Sequence, residues 1–314
     1  MDADPAFRAD VLAGLAAPIP AIPARWLYDR RGSELFEEIT RLPEYYPTRT
    51  ETALLERHSG EIAAMLGTGD AVVEFGSGSS TKTPVLLRAV KPCAYVPIDI
   101  SGDFLRESAL GLQAEFPDLA ILPLEADFMR RLDLPPQIAG APKLGFFPGS
   151  TIGNLVARTA VDLLRAMKET LGEGSRLLIG MDRIKDVDVL LAAYDDEAGA
   201  TAAFNLNLLH RINAELGGDM PVEAFRHRAL WNDEMSRIEM HLEALRDVAF
   251  TVAGTGFSIK AGATIHTENS HKYGHRDSRL LLRAAGWGVV REWTDERQWF
   301  SIILAEAEPP RFAP

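Results

Sequence analysis

The feature that most constrains the fold is a short apolar run that stops abruptly at two closely spaced glycines. The run, Ala71–Phe75, contains the β-branched pair Val72 and Val73, a composition that favours a buried strand. Gly76 and Gly78 follow, and glycine lets the backbone turn sharply and approach a ligand closely. Open parallel sheets bind their ligands at that edge, beyond the carboxyl ends of the strands. The stretch therefore predicts a strand that leads into a binding loop.

Two acidic residues stand at the ends of the next apolar runs. Asp99 closes the run that begins at Ala94, and Asp127 closes the run that begins at Ile121. Carboxylates accept hydrogen bonds, so acids on neighbouring strand tips suit ribose hydroxyls and a base amino group. The glycine loop with these two acids predicts a nucleoside-binding site.

Strand and helix patterns alternate through the first half of the chain. This rhythm predicts a parallel sheet with right-handed crossovers. A second glycine-bearing strand tip would bring Gly149 and Asn154 into the same crevice. The predicted strands are 71–75, 94–99, 120–126, 144–148 and 176–181, and the predicted helices are 83–90, 103–115 and 155–171.

The rhythm changes after Asp182. Residues 186–218 have helical patterns, whereas 235–245 alternate apolar and polar side chains as a half-buried antiparallel strand does. A helix at 275–285 and a hairpin then end the chain. We therefore expect an α/β fold, a Rossmann-like sheet with a second α+β domain formed by the N-terminal segment and an insertion before the last strands. The predicted domains are 51–184 with 274–314, and 1–50 with 185–273.

The segment before the sheet is less regular. We expect a surface arm first, then a turn at Gly32 capped by Ser33 that enters a helix. The prolines of 42–49 argue against a helix there, and apolar spacing predicts a helix over 50–66.

Composition limits the possible partners. The net charge is −12, with 33 Lys+Arg against 45 Asp+Glu, so a basic face for nucleic acid is not expected. One cysteine, Cys93, suits a reducing compartment. The N-terminus lacks the blocks of a signal peptide, and apolar runs stay short of the roughly 18–20 residues of a membrane span. We expect a cytoplasmic monomer that acts on a small molecule.

The choice of cofactor rests on a few positions. A nicotinamide fingerprint needs a third glycine where Thr81 stands. An acidic residue before the glycine loop, here Glu74, is typical of S-adenosylmethionine enzymes. Asp127 is suited to hydrogen-bond the amino group of adenine, and Phe128 is suited to stack on its ring. Asp99 fits ribose capture under either cofactor and discriminates nothing. S-adenosylmethionine is favoured, while nucleotide binding with no assigned chemistry stays open.

Motifs outside the glycine loop then make a resemblance specific. The sequence resembles the L-histidine Nα-methyltransferases of ergothioneine biosynthesis, which trimethylate the histidine amine to hercynine with S-adenosylmethionine. The resemblance extends from about Trp26 to Ala305. The motifs are Tyr28-Asp29-x-Arg31-Gly32-Ser33-x-Leu35-Phe36, Leu42-Pro43-Glu44-Tyr45-Tyr46-Pro47-Thr48-Arg49, Glu74-Phe75-Gly76-Ser77-Gly78-Ser79-Ser80-x-Lys82-Thr83, Phe147-Pro148-Gly149-Ser150-Thr151-Ile152-Gly153-Asn154 and Glu268-Asn269-Ser270-x-Lys272-Tyr273.

The resemblance implies a class I methyltransferase sheet and two sets of binding residues. Tyr28 and Asn154 are implied to take part in catalysis. S-adenosylmethionine contacts are implied for Gly76, Gly78, Lys82, Asp99, Asp127, Phe128 and Gly149. Contacts with the amino acid are implied for Tyr28, Tyr45, Asn154, Tyr194, Met240, Glu268 and Ser270.

The chemistry of methyl transfer agrees with these residue types. The nucleophile is a neutral amine, and a fixed anion beside it would hold it protonated, so neutral groups such as Asn154 and Tyr194 suit the site. Residues two apart on a strand share a face, so Glu268 and Ser270 can address the two nitrogens of an imidazole. Met240 would form an apolar wall.

Several alternatives remain. The rival enzyme is a methyltransferase for another free amino acid or an aromatic amine, and the rival of another class is a catalytically silent S-adenosylmethionine-binding regulator. The spacing of His266, His271 and His275 matches no standard ligand frame, so we expect no metal.

Overall fold

The computed structural model describes residues 4–67, 69–78 and 82–309. In chain order its helices and strands are α1 (Pro5–Ala16), α2 (Arg30–Thr40), α3 (Tyr46–Met65), β1 (Ala71–Phe75), α4 (Thr83–Val90), β2 (Ala94–Asp99), α5 (Gly102–Glu115), β3 (Ala120–Ile121), β4 (Leu124–Glu125), β5 (Lys143–Phe147), α6 (Ala157–Leu171), β6 (Arg176–Asp182), α7 (Val187–Tyr194), α8 (Ala200–Leu216), β7 (Phe225–Asn232), β8 (Arg237–Ala244), β9 (Val248–Val252), β10 (Thr255–Ile259), β11 (Thr264–His271), α9 (His275–Ala284), β12 (Trp287–Thr294) and β13 (Phe300–Ala307). Within the described residues, every helix is too short or too polar to cross a bilayer.

The chain divides into two compact units. Unit 1 contains the described residues up to Tyr46 together with Lys185–His271. Unit 2 contains the described residues of 47–184 and those from Lys272 onward.

Unit 2 is built on one large sheet. Its strand order is β12-β13-β6-β5-β1-β2-β3, and β4 also pairs with β2. The pairs among β1, β2, β3, β4, β5 and β6 are parallel, whereas β13 and β12 are added in antiparallel fashion. Val72 and Val73 are fully buried, as expected of a parallel sheet covered on both faces. The predicted α/β class with a Rossmann-like sheet is confirmed.

Apolar side chains cover both faces of this sheet. Phe147 joins a core cluster with Phe75 and Trp287, whereas its neighbour Phe146 joins a second cluster with Tyr95. Successive side chains of a strand point to opposite faces, which is why adjacent phenylalanines serve two cores. This double burial fixes the strand register and with it the position of every loop at the carboxyl edge.

Unit 1 contains a smaller antiparallel sheet and several helices. Its strands β11, β8 and β7 form one sheet in that order, and β9 pairs with β10. The strand predicted over 235–245 is confirmed as β8. Helix α8 buries Phe204, Asn205 and Leu208, and α1 buries Phe7 and Val11. The insertion thus has apolar surfaces of its own to bury.

Two local predictions near the N-terminus are wrong. Helix α3 begins at Tyr46, with Pro47 in its first turn, where a missing N–H interrupts no intrahelical bond. Helix α2 begins at Arg30, and the side chain of Asp29 caps it by accepting from the Gly32 N–H at 2.7 Å. Ser33 therefore lies inside the helix rather than capping it.

The predicted strand 120–126 is divided. It forms β3 and β4, with Pro123 in the gap between them. Proline has no N–H to donate to a neighbouring strand, so continuous pairing is interrupted there. Leu122 and Ala126 still donate their N–H groups to Tyr95 and Asp99, which keeps the segment against β2.

Candidate active site

The glycine loop after β1 has the backbone geometry that its sequence predicts. Gly76 has φ +71° and Gly78 has φ +45°, values that disfavour other residues. The Gly78 N–H donates to the Asp99 carboxylate at 3.1 Å, and the Ser101 N–H donates to the same carboxylate at 2.9 Å. Two backbone donors therefore orient Asp99 at the tip of β2. Thr81, on which the nicotinamide argument rests, lies outside the described residues.

Asp127 and Phe128 follow β4 at the same edge of the sheet. The Asp127 carboxylate accepts from the Met129 N–H at 3.0 Å, which fixes its orientation. The Phe128 ring packs edge-on against Phe75 and Phe147, with centroids 6.2 Å and 6.0 Å apart. A Cβ at Gly76 would lie 3.5 Å from the Phe128 ring. Glycine thus keeps the backbone close to that aromatic face.

A buried carboxylate that the sequence analysis missed joins two of the predicted cofactor residues. Glu51, in α3, is 1% exposed and forms an ion pair with Lys82. The same oxygen accepts from the Gly149 N–H at 2.8 Å, and Gly149 has φ +81°. A Cβ at Gly180 would come within 2.1 Å of the other Glu51 oxygen. Glu51 lies 31 residues before Lys82 in a different element, so no local motif signalled this arrangement.

Glu74 serves the structure of the loop. It is fully buried at the end of β1. Its carboxylate accepts from the Thr83 hydroxyl at 2.7 Å and from the Tyr95 phenol at 2.6 Å. These bonds tie the end of β1 to the start of α4 and to β2.

In unit 1, a chain of edge-to-face aromatic contacts connects three predicted site residues. Tyr28 packs against Phe36 at 5.6 Å and Phe204 at 5.3 Å between ring centroids. Phe36 packs against Tyr45 at 6.1 Å, and Tyr45 against Tyr194 at 6.1 Å. The three predicted tyrosines therefore share one aromatic cluster. Phe36 and Phe204 were not predicted, because a phenylalanine on a helix is an ordinary core residue.

Tyr28 also contacts the carboxylate predicted to select the substrate. Its hydroxyl donates to Glu268 Oε1 at 3.3 Å, and Glu268 is 7% exposed. Burial first, and then the negative charge of Glu268, raise the pKa of Tyr28 well above its ordinary value. The phenol therefore stays protonated at neutral pH and acts as a hydrogen-bond donor.

Ser270 and Met240 lie beside Glu268 in the same sheet. Met240 on β8 pairs with Glu268 on β11. The Ser270 and Tyr194 hydroxyls are 2.7 Å apart, in a bond that either one can donate. Ser270 is 4% exposed and Met240 is 2% exposed. A carboxylate, two hydroxyls and an apolar side chain are thus held in the buried part of unit 1.

Asn154 belongs to unit 2. It ends a short 3-10 helix, Thr151–Asn154, after the left-handed residue Ser150 at φ +58°. The Ser150 hydroxyl accepts from the Asp182 N–H at 2.9 Å, so the turn after β5 is tied to β6. Asn154 is half-buried at the carboxyl edge of the sheet.

One cluster in unit 1 contains potential metal-ligand atoms. Among the described residues, Glu239, His241 and His266 have such atoms within 4.8 Å of one another. The two imidazoles are stacked, with centroids 4.7 Å apart and planes 17° apart, so their nitrogens do not aim at a common point. Burial would raise the pKa of Glu239, but hydrogen bonds, first from Arg237 at 2.6 Å, lower it to about 2. The Arg237 guanidinium thus neutralises Glu239 where a metal cation would otherwise do so, and we assign no metal to this cluster.

A surface cavity of about 550 Å³ lies elsewhere in unit 2. It is lined by Arg183, His275, Arg279, Val290, Arg291, Glu292, Thr294 and Gln298. These residues include none of the predicted site residues. Glu292 pairs with His275 at 2.8 Å and with Arg279 at 3.4 Å, so the charges of this cavity are partly satisfied within the protein.

Known proteins resemble this chain over almost its whole length. A model of the histidine-specific, S-adenosylmethionine-dependent methyltransferases matches residues 7–307. The chain is 41% identical over 306 residues to histidine N-alpha-methyltransferase of Mycolicibacterium smegmatis, covering 96% of this chain and 94% of that protein. It is 30% identical over 296 residues to ergothioneine biosynthesis protein 1 of Neurospora crassa, covering 91% of this chain and 33% of that protein.

A solved structure shares the fold. It is an S-adenosylmethionine-dependent methyltransferase from Clostridium acetobutylicum, which matches with a TM-score of 0.51 at 12% identity. The match covers 88% of this chain and 99% of that one. At this identity the likeness concerns the fold alone.

Proposed function

The chain belongs to the family of histidine-specific, S-adenosylmethionine-dependent methyltransferases, and we propose that it methylates the α-amine of L-histidine to trimethylhistidine (hercynine), a step of ergothioneine biosynthesis. Unit 2 is the cofactor-binding domain in this proposal, and unit 1 is the substrate-binding domain. The observation that carries the proposal is the buried pair Glu268 and Ser270, two residues apart on β11 and each hydrogen-bonded to a tyrosine.

The residues of unit 2 fit S-adenosylmethionine. Gly76 and Gly149 leave the backbone accessible to a ligand. Asp99, already oriented by two N–H groups, is suited to the ribose hydroxyls. Asp127 with Phe128 is suited to the amino group and face of adenine. Gly78 completes the loop next to Asp99.

The zwitterionic end of the cofactor needs groups of both charges. The Lys82 ammonium is proposed to pair with its carboxylate. Glu51, which holds Lys82 and the Gly149 N–H, offers a negative charge for its ammonium group. The opposite charges of this pair match those of the amino-acid moiety without leaving a net charge buried.

The bound cofactor supplies an electrophilic methyl group on a sulfonium centre. The protein has to hold the amine neutral, aligned and shielded from water. Tyr28 stays protonated and donates its hydroxyl hydrogen to Glu268, so its oxygen is left to accept a hydrogen bond from the substrate, and it does not remove a proton as a strong base. Asn154 is proposed to orient the amine through a neutral amide, which does not favour its protonated form. Tyr45 and Tyr194 contribute aromatic walls and a hydroxyl.

Recognition of the imidazole ring is assigned to Glu268 and Ser270. The carboxylate accepts from one ring N–H, and the hydroxyl serves the other nitrogen. An indole or phenyl side chain would leave the buried carboxylate without that donor, at a cost of about 1–3 kcal/mol or more for a charged group. Met240, paired with Glu268 across the sheet, limits the width of the pocket. Histidine is therefore preferred over larger aromatic amino acids.

We also propose that the enzyme acts as a cytoplasmic monomer without a nucleic-acid partner. A net charge of −12 opposes binding to a phosphate backbone. The single cysteine, Cys93, is exposed, which suits a reducing environment. Size-exclusion chromatography with light scattering tests the monomer, for which a mass near 34.4 kDa is expected.

The experiment that tests the function is a competition. Purified protein is incubated with S-adenosylmethionine and an equimolar mixture of the twenty amino acids, and the products are identified by mass spectrometry. We expect histidine carrying three methyl groups, and we expect Glu268→Ala to abolish it. Methylation of another amino acid would overturn the role of Glu268 and Ser270. Binding of the cofactor without any product would indicate a silent regulator instead.

A further inference from the structure

The pairing register of β11 with β8 shifts by one residue immediately before Glu268. His266 pairs with His241 and Glu268 pairs with Met240, which leaves Thr267 as an extra residue opposite a continuous β8. The alternation of buried side chains shifts by one residue at the same point. Ile265 and Thr267 are buried up to the irregularity, and Glu268 and Ser270 are buried after it. This is a β-bulge, which redirects the side chains that follow it. An unbulged β11 would turn Glu268 and Ser270 to the opposite face.

The side chain of Thr267 holds this bulge. Its hydroxyl lies 2.7 Å from Asn205 Oδ1 and 3.0 Å from the Met240 carbonyl oxygen, and it can donate to either. Thr267 is 2% exposed, so water does not replace these partners. One acceptor lies in α8 and the other in β8, the strand that pairs with β11, and Met240 is itself a proposed substrate contact.

Asn205 is fully satisfied at the centre of the arrangement. It lies in α8 and is completely buried. Its Nδ2 group donates to His227 Nδ1 at 2.9 Å and to the His241 carbonyl oxygen at 3.1 Å. Its Oδ1 accepts from Thr267, so both amide hydrogens and the oxygen are in use. A buried amide satisfied in this way fixes its partners relative to one another.

His227 extends the network to Tyr194. Its Nε2 lies 2.8 Å from the Tyr194 carbonyl oxygen, which can only accept, so the proton is on Nε2. Nδ1 is then the acceptor for Asn205, and the ring is neutral. Burial lowers the pKa of His227, in agreement with the neutral form. The network therefore reaches the carbonyl groups of Tyr194 and Met240, and it includes Thr267, the residue before Glu268.

We propose that Asn205, Thr267 and His227 are positioning residues of the histidine site, and that their hydrogen bonds maintain the bulge that turns Glu268 and Ser270 inward. The inference rests on the proposed function, because the residues being positioned are its substrate contacts. Disrupting the network should change the affinity for histidine and not that for S-adenosylmethionine. The network lies in unit 1, whereas the proposed S-adenosylmethionine contacts lie in unit 2.

The test replaces the hydroxyl of Thr267 and keeps its shape. Thr267→Val removes the hydroxyl that donates to Asn205 or to the Met240 carbonyl oxygen, and Thr267→Ser retains the hydroxyl as the conservative variant. The matched control is Thr170→Val, because Thr170 is also buried, at 9% exposed, and donates to the Ala166 carbonyl at 2.8 Å in α6. The KM for histidine, the KM for S-adenosylmethionine, kcat and the thermal midpoint are measured for each variant.

The expected result separates positioning from general stability. Thr267→Val should raise the KM for histidine by about tenfold, as the loss of one buried hydrogen-bonding group predicts. It should leave the KM for S-adenosylmethionine within about twofold, and Thr267→Ser should recover most of the histidine affinity. Thr170→Val should lower the thermal midpoint and leave both KM values unchanged. If Thr267→Val is poorly folded, Thr267→Ala is measured in its place with the same expectation.

Two outcomes would contradict the proposals, and they differ. A lowered midpoint with an unchanged KM for histidine in the Thr267 variants would overturn the positioning role while the wild type still methylates histidine. Failure of the wild type to methylate histidine would overturn the proposed function itself.

Discussion

The phenol of Tyr28 donates a hydrogen bond to the carboxylate of Glu268 across 3.3 Å, although 240 residues separate them in the sequence. The bond holds the proposed specificity residue in place, and Glu268 contributes after burial to the raised pKa of Tyr28. This contact thus joins Glu268, the proposed hydrogen-bond acceptor for the imidazole ring, to the neutral phenol of Tyr28.

Glu268→Gln should weaken histidine binding. The amide keeps the shape of the side chain but loses its charge, and a hydrogen bond to a charged group contributes about 1.5–3 kcal/mol. We expect the KM for histidine to rise roughly 10- to 100-fold, with the KM for S-adenosylmethionine unchanged. Glu243→Gln on β8 is the control, because Glu243 pairs with Arg226 and Arg228 at the surface. Equal kinetics in the two variants would exclude the assigned role.

Tyr28→Phe should lower kcat by about two- to tenfold through the loss of one hydrogen bond. The raised pKa of Tyr28 gives a second readout in stability. The unfolded state loses the phenolic proton first, so this residue stabilises the fold fully below about pH 10 and less as the pH rises further. The thermal midpoint of Tyr28→Phe should therefore fall less than that of the wild type between pH 9 and pH 11. Parallel curves would show that Tyr28 is not buried as described.

Gly180→Ala should impair the cofactor site from a distance. Its Cβ would lie 2.1 Å from a Glu51 oxygen, so the carboxylate that holds Lys82 and Gly149 has to move. We expect a KM for S-adenosylmethionine raised about tenfold and a lower thermal midpoint. Gly111→Ala is the matched control, since nothing lies within 4 Å of its Cβ and alanine favours the helix by up to about 1 kcal/mol. A lower midpoint with an unchanged KM would limit Glu51 to core packing.

Acid should destabilise the fold through two histidines whose pKa values are lowered by burial. Burial lowers the pKa of His227 and of His266 below the ordinary value of about 6.5. As the pH falls, these histidines therefore take up protons in the unfolded state before they do so in the folded state. Their contribution to stability is complete above about pH 6.5 and is lost as the pH falls toward their pKa values in the folded state. His227→Gln should flatten the fall of the thermal midpoint between pH 7 and pH 5. His210→Gln, at an exposed position, is the matched control.

Much of the cofactor side of the protein could be predicted locally. Strands 71–75 and 94–99 and helix 83–90 are confirmed at the predicted residues, because apolar runs, glycines and a helix start are signals between neighbours. The local prediction is wrong at Pro47. A proline there argues against a helix, but Pro47 lies in the first turn of α3, where proline is tolerated.

The supporting residues could not be predicted in this way. Glu51, Asn205 and Thr267 are not themselves part of any of the motifs, and each acts through partners far away in the sequence. A glutamate in a helix is most often solvated, and a threonine in a strand is most often ordinary. Their roles become visible only when their hydrogen-bond partners are known.

The sequence by itself determined the sheet, the glycine loop and the types of side chain that address the two substrates, because strand periodicity and turn chemistry are properties of adjacent residues. The tertiary structure decided which way Glu268 and Ser270 point. Strict alternation from Ile265 would direct Glu268 outward, and one extra residue at Thr267 reverses it. The bulge depends on hydrogen bonds from α8 and β8, which no alternation within β11 encodes.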